Sequence, residues 1–183
     1  MTKGKHRNFY LAFSILIVNF GLFLIFSSVS KEYLEQSLSL NKAINFFIML
    51  ILILSPIFVV AIRYFYFSIL VNTFNIKKLS KTDLWNISLI SYLPILVGTI
   101  TNTILGAIFG VNKESYIGLN SLIKSDNHLV NILITKVNPF EIISIIILAY
   151  LFTKKIEGSK KDFTLIISIW YILDLLILYF FSN

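Results

Sequence analysis

The chain of 183 residues is 57% hydrophobic and 14% charged, with a mean hydropathy of +0.83 and a formal net charge of +7. Soluble domains carry about 45–50% apolar and 25% charged residues, so these proportions exclude an ordinary soluble domain and point to an all-α integral membrane protein. With no cysteine there is no disulfide framework, lipoprotein cysteine, thiolate metal site or thiol nucleophile. The lysines stand in short clusters between apolar segments, which reads as contact with anionic lipid and not with nucleic acid.

Five apolar segments follow one another, and the chain reads as one membrane domain over residues 1–183. The first, about 9–27, follows the basic lead "MTKGKHRN". A cleavable signal peptide is the competing reading, since "SVSK" at Ser28–Lys31 resembles a small-residue cleavage site. The apolar core exceeds the usual 7–15 residues of such a peptide, which favours a retained helix. The second segment is predicted over about 43–71 and the third over 84–110.

The loop 111–137 is expected to lie on the bundle, with a short amphipathic turn at His128–Ile134. The fourth segment, about 139–153, opens with "VNPFE": Asn138 as N-cap, Pro139 at the first helical position and Glu141 at N3, able to reach back to free amides. It is short for a span of about 20 residues, so it is expected to pack among the other helices. The fifth covers 163–181.

Loop charge sets the orientation. With the N-terminus cytoplasmic, the inner regions hold Lys3, Lys5, Arg7, Lys77, Lys78, Lys81, Lys154, Lys155, Lys160 and Lys161, against Lys31, Lys42, Lys113, Lys124 and Lys136 outside. The expected architecture is a five-helix transmembrane bundle in the cell membrane, N-terminus cytoplasmic and C-terminus extracytoplasmic.

Three features stand inside the apolar segments. Gly98, Asn102, Gly106 and Gly110 recur every four residues after Pro94, a stripe suited to close helix packing, either within the chain or against a partner helix. Arg63 lies 14 residues before Lys77, and Asp174 lies 13 after Lys161. Helical rise puts both about 20 Å below one surface, where they could pair. The rival placement ends the second segment at Ile62 and leaves Arg63 with "YFYF" as an interfacial anchor. Asp174 and Glu141 are also open to a proton- or ion-linked reading, the bland alternatives being pairing and capping.

Catalytic signatures are missing. His6 and His128 are the only histidines, and HExxH, GxSxG and P-loop patterns do not occur. Neither an enzyme activity nor a metal or cofactor is expected.

Three stretches taken together resemble the Yip family (Ypt-interacting proteins and their bacterial relatives). They are "FNIKKLSKTDLWNISLISYLPILVGTI" (Phe74–Ile100), with its basic turn and Tyr92–Pro94, "VNPFEIISIIILAYLFTK" (Val137–Lys154) and "FTLIISIWYILDLLILYF" (Phe163–Phe180). The basic turn departs from the family in having no Gly-Gly pair, and Ile143 stands where Trp is usual. The N-terminal tail is too short for the region through which eukaryotic members meet small GTPases. The resemblance implies five helices with a cytoplasmic N-terminus and a non-enzymatic scaffold that binds another integral membrane protein or itself. Bacterial members act beside ABC-type exporters or in antimicrobial-peptide resistance. A small transporter or channel subunit using Arg63 and Asp174 is the alternative.

Overall fold

The computed structural model describes residues 2–29, 42–73, 76, 79–110, 115–123, 125, 127, 130, 133–134 and 137–181. Ser30 and Lys31 of the cleavage-like stretch, Lys77 and Lys78 of the basic turn, and His128 with most of its predicted amphipathic turn lie outside the described residues. Among the described residues the fold is all-helical: α1 (Thr2–Val29), α2 (Lys42–Thr73), α3 (Lys81–Phe109), α4 (Pro139–Ile156) and α5 (Lys160–Phe181), with a short 3-10 turn at Leu119–Ser121.

Among the described residues, three helices hold stretches long and apolar enough to cross a membrane, His6–Ile25, Leu50–Thr73 and Lys81–Phe109. The surface agrees with a membrane location. Phe9, Phe13, Ile17, Phe20 and Leu24 form an exposed apolar face on α1, while Asn8 and Asn19 are buried on the opposite side. Apolar outside and polar inside is the arrangement that lipid favours.

The second segment continues through Arg63 without a break: α2 is one helix of 32 residues with Pro56 inside it. Proline removes a backbone donor and strands the carbonyl four residues earlier, here that of Leu52. Asn19 on α1 supplies the substitute, its side-chain nitrogen donating to the carbonyls of Leu52 and Ile53, each at 3.0 Å. Ser55 adds its hydroxyl to the Leu52 carbonyl at 2.8 Å.

Helix α3 is the hub, packing against α1, α2 and α4, while α5 packs along α4. Its start is well specified: Ser80 caps the Asp83 amide, and the Asp83 carboxylate answers the Ser80 amide. Two further contacts fix the direction of the helices. The Asn8 amide nitrogen donates to the Thr82 carbonyl at 3.2 Å, and Lys155 Nζ lies 2.9 Å from Asp83. Helix α5 follows α4 after a turn at Glu157, whose left-handed backbone (φ 55°) ends α4. The starts of α1, α3 and α5 therefore gather with the end of α4 at one end of an up-and-down bundle.

Two apolar clusters fill it. Ile15, Leu22, Val60, Leu89, Tyr92 and Leu96 join α1, α2 and α3. Phe67, Leu84, Ile87, Leu148, Phe152 and Ile166 join α2, α3, α4 and α5, with the Phe67 and Phe152 ring centroids 4.4 Å apart. Helix α4 runs past the two lysines to Ile156, so its 18 residues reach about 27 Å.

Candidate functional site

Between these clusters lies a polar centre built from four helices. Arg63 is only 3% exposed. Its Nη1 donates to the Ser91 hydroxyl at 3.0 Å, and its guanidinium lies 5.6 Å from the Trp170 ring centroid. That distance suits a cation–π contact, which strengthens when the pair is desolvated. Trp170 is held edge-on by Tyr66, with centroids 5.1 Å apart. Arg63 Nε is buried and has no hydrogen-bond partner among the described residues.

The serines tie the neighbouring backbones. The Ser91 hydroxyl donates in turn to the Ser88 carbonyl, Ser88 donates to the Leu84 carbonyl, and Ser144 on α4 donates to the Ser91 carbonyl. All three are fully buried. Each serine meets a carbonyl or the guanidinium, so burial leaves none of these hydroxyls unmatched.

Asp174 on α5 and Glu141 on α4 both lie within electrostatic reach of the Arg63 guanidinium. The structure thus places the two residues of the expected pair in one neighbourhood, with Arg63 buried in the bundle. It adds Glu141, which the sequence reading had assigned to a helix cap. Capping of α4 by Asn138 is direct: its side-chain oxygen accepts from the Phe140 amide at 3.0 Å, with Pro139 at the first position. Glu141 stands in that first turn. The signal that could have revealed its place was in the spacing. Glu141 precedes Lys154 by 13 residues, the same helical depth that brought Arg63 and Asp174 together.

The glycine stripe does not act as one face. A Cβ at Gly98 would stand 2.9 Å from Phe140 Cγ and 3.0 Å from its Cβ, so this glycine lets α4 approach α3. Asn102 accepts from the Tyr116 amide at 2.7 Å and the Ser115 hydroxyl at 3.2 Å, anchoring the following loop to α3. Gly110 ends the helix at φ 92°, a backbone region that favours glycine. Gly106, like Gly110, has open space where a Cβ would stand, and it lies among exposed Ile104, Ile108 and Phe109.

Other residues of the core went unread in the sequence. Asn8, Ala12, Ile15, Asn19 and Leu22 share the inward stripe of α1 at alternating four- and three-residue spacing. The asparagines mark that stripe because an apolar helix wholly in lipid has no use for them.

Chemically the centre holds one cation and two carboxylates on three helices, braced by hydroxyls and an indole. It joins helices and fixes a charge. No cluster of three or more His, Cys, Asp or Glu suited to a metal ion is found among the described residues. No family model, curated protein or solved structure matches the chain.

Proposed function

We propose that the chain is a five-span membrane protein of Yip type, with its N-terminus cytoplasmic, that serves as a non-enzymatic accessory to another integral membrane protein. An ABC-type exporter or an antimicrobial-peptide resistance system is the partner that the family resemblance implies. The observation that carries this reading is the inward commitment of Arg63: its charge is spent on Ser91, Trp170 and nearby carboxylates of the same chain. A tie of this kind stiffens a scaffold.

The up-and-down order of the five helices and the excess of lysine at the gathered end support the five-span orientation. Gly106, with its open flank, is the place where a partner helix can approach α3 closely. Mild cross-linking in native membranes, followed by mass spectrometry of what co-purifies with the tagged chain, tests the proposal. A stoichiometric membrane protein is the expected result. Recovery of the chain alone would defeat it.

Transport is the second reading, favoured by the presence of two carboxylates, Glu141 and Asp174, within electrostatic reach of Arg63. Intramembrane ionisable groups mark ion and proton paths in many carriers. Flux through reconstituted protein, lost in Asp174→Asn with the folded amount unchanged, would establish it.

A further inference from the structure

A groove of about 420 Å³ opens at the end of the bundle where α1 and α3 begin, and Arg63 is not part of its lining. Its walls are apolar and aromatic: Phe9 and Ala12 from α1, Tyr64 from α2 and Trp85 from α3, the last two edge-to-face with centroids 5.5 Å apart. Lys81 stands exposed at one side, and Asn8 and Thr82 supply the remaining polar lining. Asn8 is 4% exposed. Its amide nitrogen is committed to the Thr82 carbonyl, which can only accept, so its orientation is fixed. The amide oxygen is buried and has no partner among the described residues. The groove therefore offers a cation for a phosphate and an aromatic wall of the kind found at membrane surfaces. Phe9 is 65% exposed and is followed by exposed Phe13, so the apolar wall continues along the outer face of α1.

We propose that this groove seats one anionic glycerophospholipid. The phosphate meets Lys81, and an acyl chain runs past Phe9 along α1. Charge complementarity selects this occupant: Arg7 adjoins Asn8, and the same end of the chain carries Lys3 and Lys5. Phosphatidylcholine carries no net charge, so it is the natural counter-lipid. The proposal rests on the membrane location and is independent of the partner.

The test uses full-length protein in phosphatidylcholine nanodiscs containing a minor share of phosphatidylglycerol, with retained lipid read by native mass spectrometry. Wild-type protein should keep phosphatidylglycerol selectively. Lys81→Gln should lower retention roughly fivefold, the factor expected for one surface lysine. Phe9→Ala, at an exposed position, should lower it without moving the unfolding temperature in pure phosphatidylcholine. Lys160→Gln, on α5, should change nothing. Equal retention in wild type, Lys81→Gln and Phe9→Ala overturns the site, as does equal retention of the two lipids by wild type. Inorganic phosphate or glycerol phosphate that displaces the lipid at matched concentration would make this a free-phosphate site and overturn the lipid assignment. Release of the wild-type protein from membranes by alkaline carbonate would instead refute the membrane location, a failure read separately from lipid retention.

Discussion

The side-chain nitrogen of Asn19 lies 3.0 Å from the carbonyl of Leu52, the carbonyl that Pro56 deprives of its helical partner. A residue on one helix thus completes the backbone of the next. In Asn19→Leu this bridge is lost at a cost of about 1 kcal/mol, the usual scale of a hydrogen bond between membrane helices. In a Pro56→Ala background the restored backbone donor occupies Leu52, and the same substitution should cost less than half as much. Detergent unfolding of the four proteins in a double-mutant cycle measures this coupling; additive effects would contradict it.

Gly98 should tolerate no side chain. Its Cβ would press on Phe140 Cβ, an atom fixed to the α4 backbone that cannot rotate away. Gly98→Ala is expected to destabilise by about 1–3 kcal/mol, the range for overpacking. Phe140→Ala in the same chain removes Cγ and the ring but keeps the Cβ, so it should restore only part of that loss, read as unfolding midpoint in detergent.

Gly106 should behave oppositely. With nothing near its missing Cβ, Gly106→Ile should leave the folded yield and unfolding temperature unchanged while reducing recovery of the cross-linked partner several-fold. Undiminished recovery would remove this flank from the interface.

Arg63→Met should cost about 3–5 kcal/mol, the loss typical when one member of a buried ionic group is removed. Glu141→Gln and Asp174→Asn, each leaving the second carboxylate within electrostatic reach of the guanidinium, should cost less. On the scaffold reading none of these proteins, and not the wild type, passes ions across liposomes; a wild-type flux abolished by Asp174→Asn would move the function to transport.

Acid should loosen the start of α5. Ser159 donates both its amide and its hydroxyl to the Asp162 carboxylate, at 2.6 and 2.8 Å, and these bonds hold the carboxyl below its ordinary range. A depressed folded-state value means that the stabilisation is present above about pH 4, where the unfolded carboxyl is ionised, and fades as pH falls through the lower folded value. Hydrogen exchange of the amides near Lys160–Phe163 should quicken in that window, and Asp162→Asn should abolish the pH dependence.

Hydropathy and length made the helices legible, and the asparagine–proline start of α4 was readable to the residue. The continuity of α2 was harder to see, because a charge followed by four aromatic residues resembles an interfacial end. Burial of Arg63 is decided by Ser91 and Trp170, which lie far along the chain and look ordinary in sequence. The glycine stripe was legible only in part, for a related reason. Regular spacing announces one face, yet Gly98 meets a helix, Asn102 a loop and Gly106 open space. Spacing records where residues point, but not what comes to meet them.

Arg63 also imposes an order on biogenesis. The Asn19 bridge can form once α1 and α2 exist, but the partners of Arg63 arrive later, with Ser91 on α3, Glu141 on α4, and Trp170 and Asp174 on α5. Until then a nascent chain carries a positive charge that hydrocarbon rejects. Translocation intermediates ending after Thr73 should therefore stay beside the insertion machinery, detectable by photo-cross-linking. Arg63→Leu should release them early into lipid. The residue that braces the finished bundle would thus also time its release from the translocon.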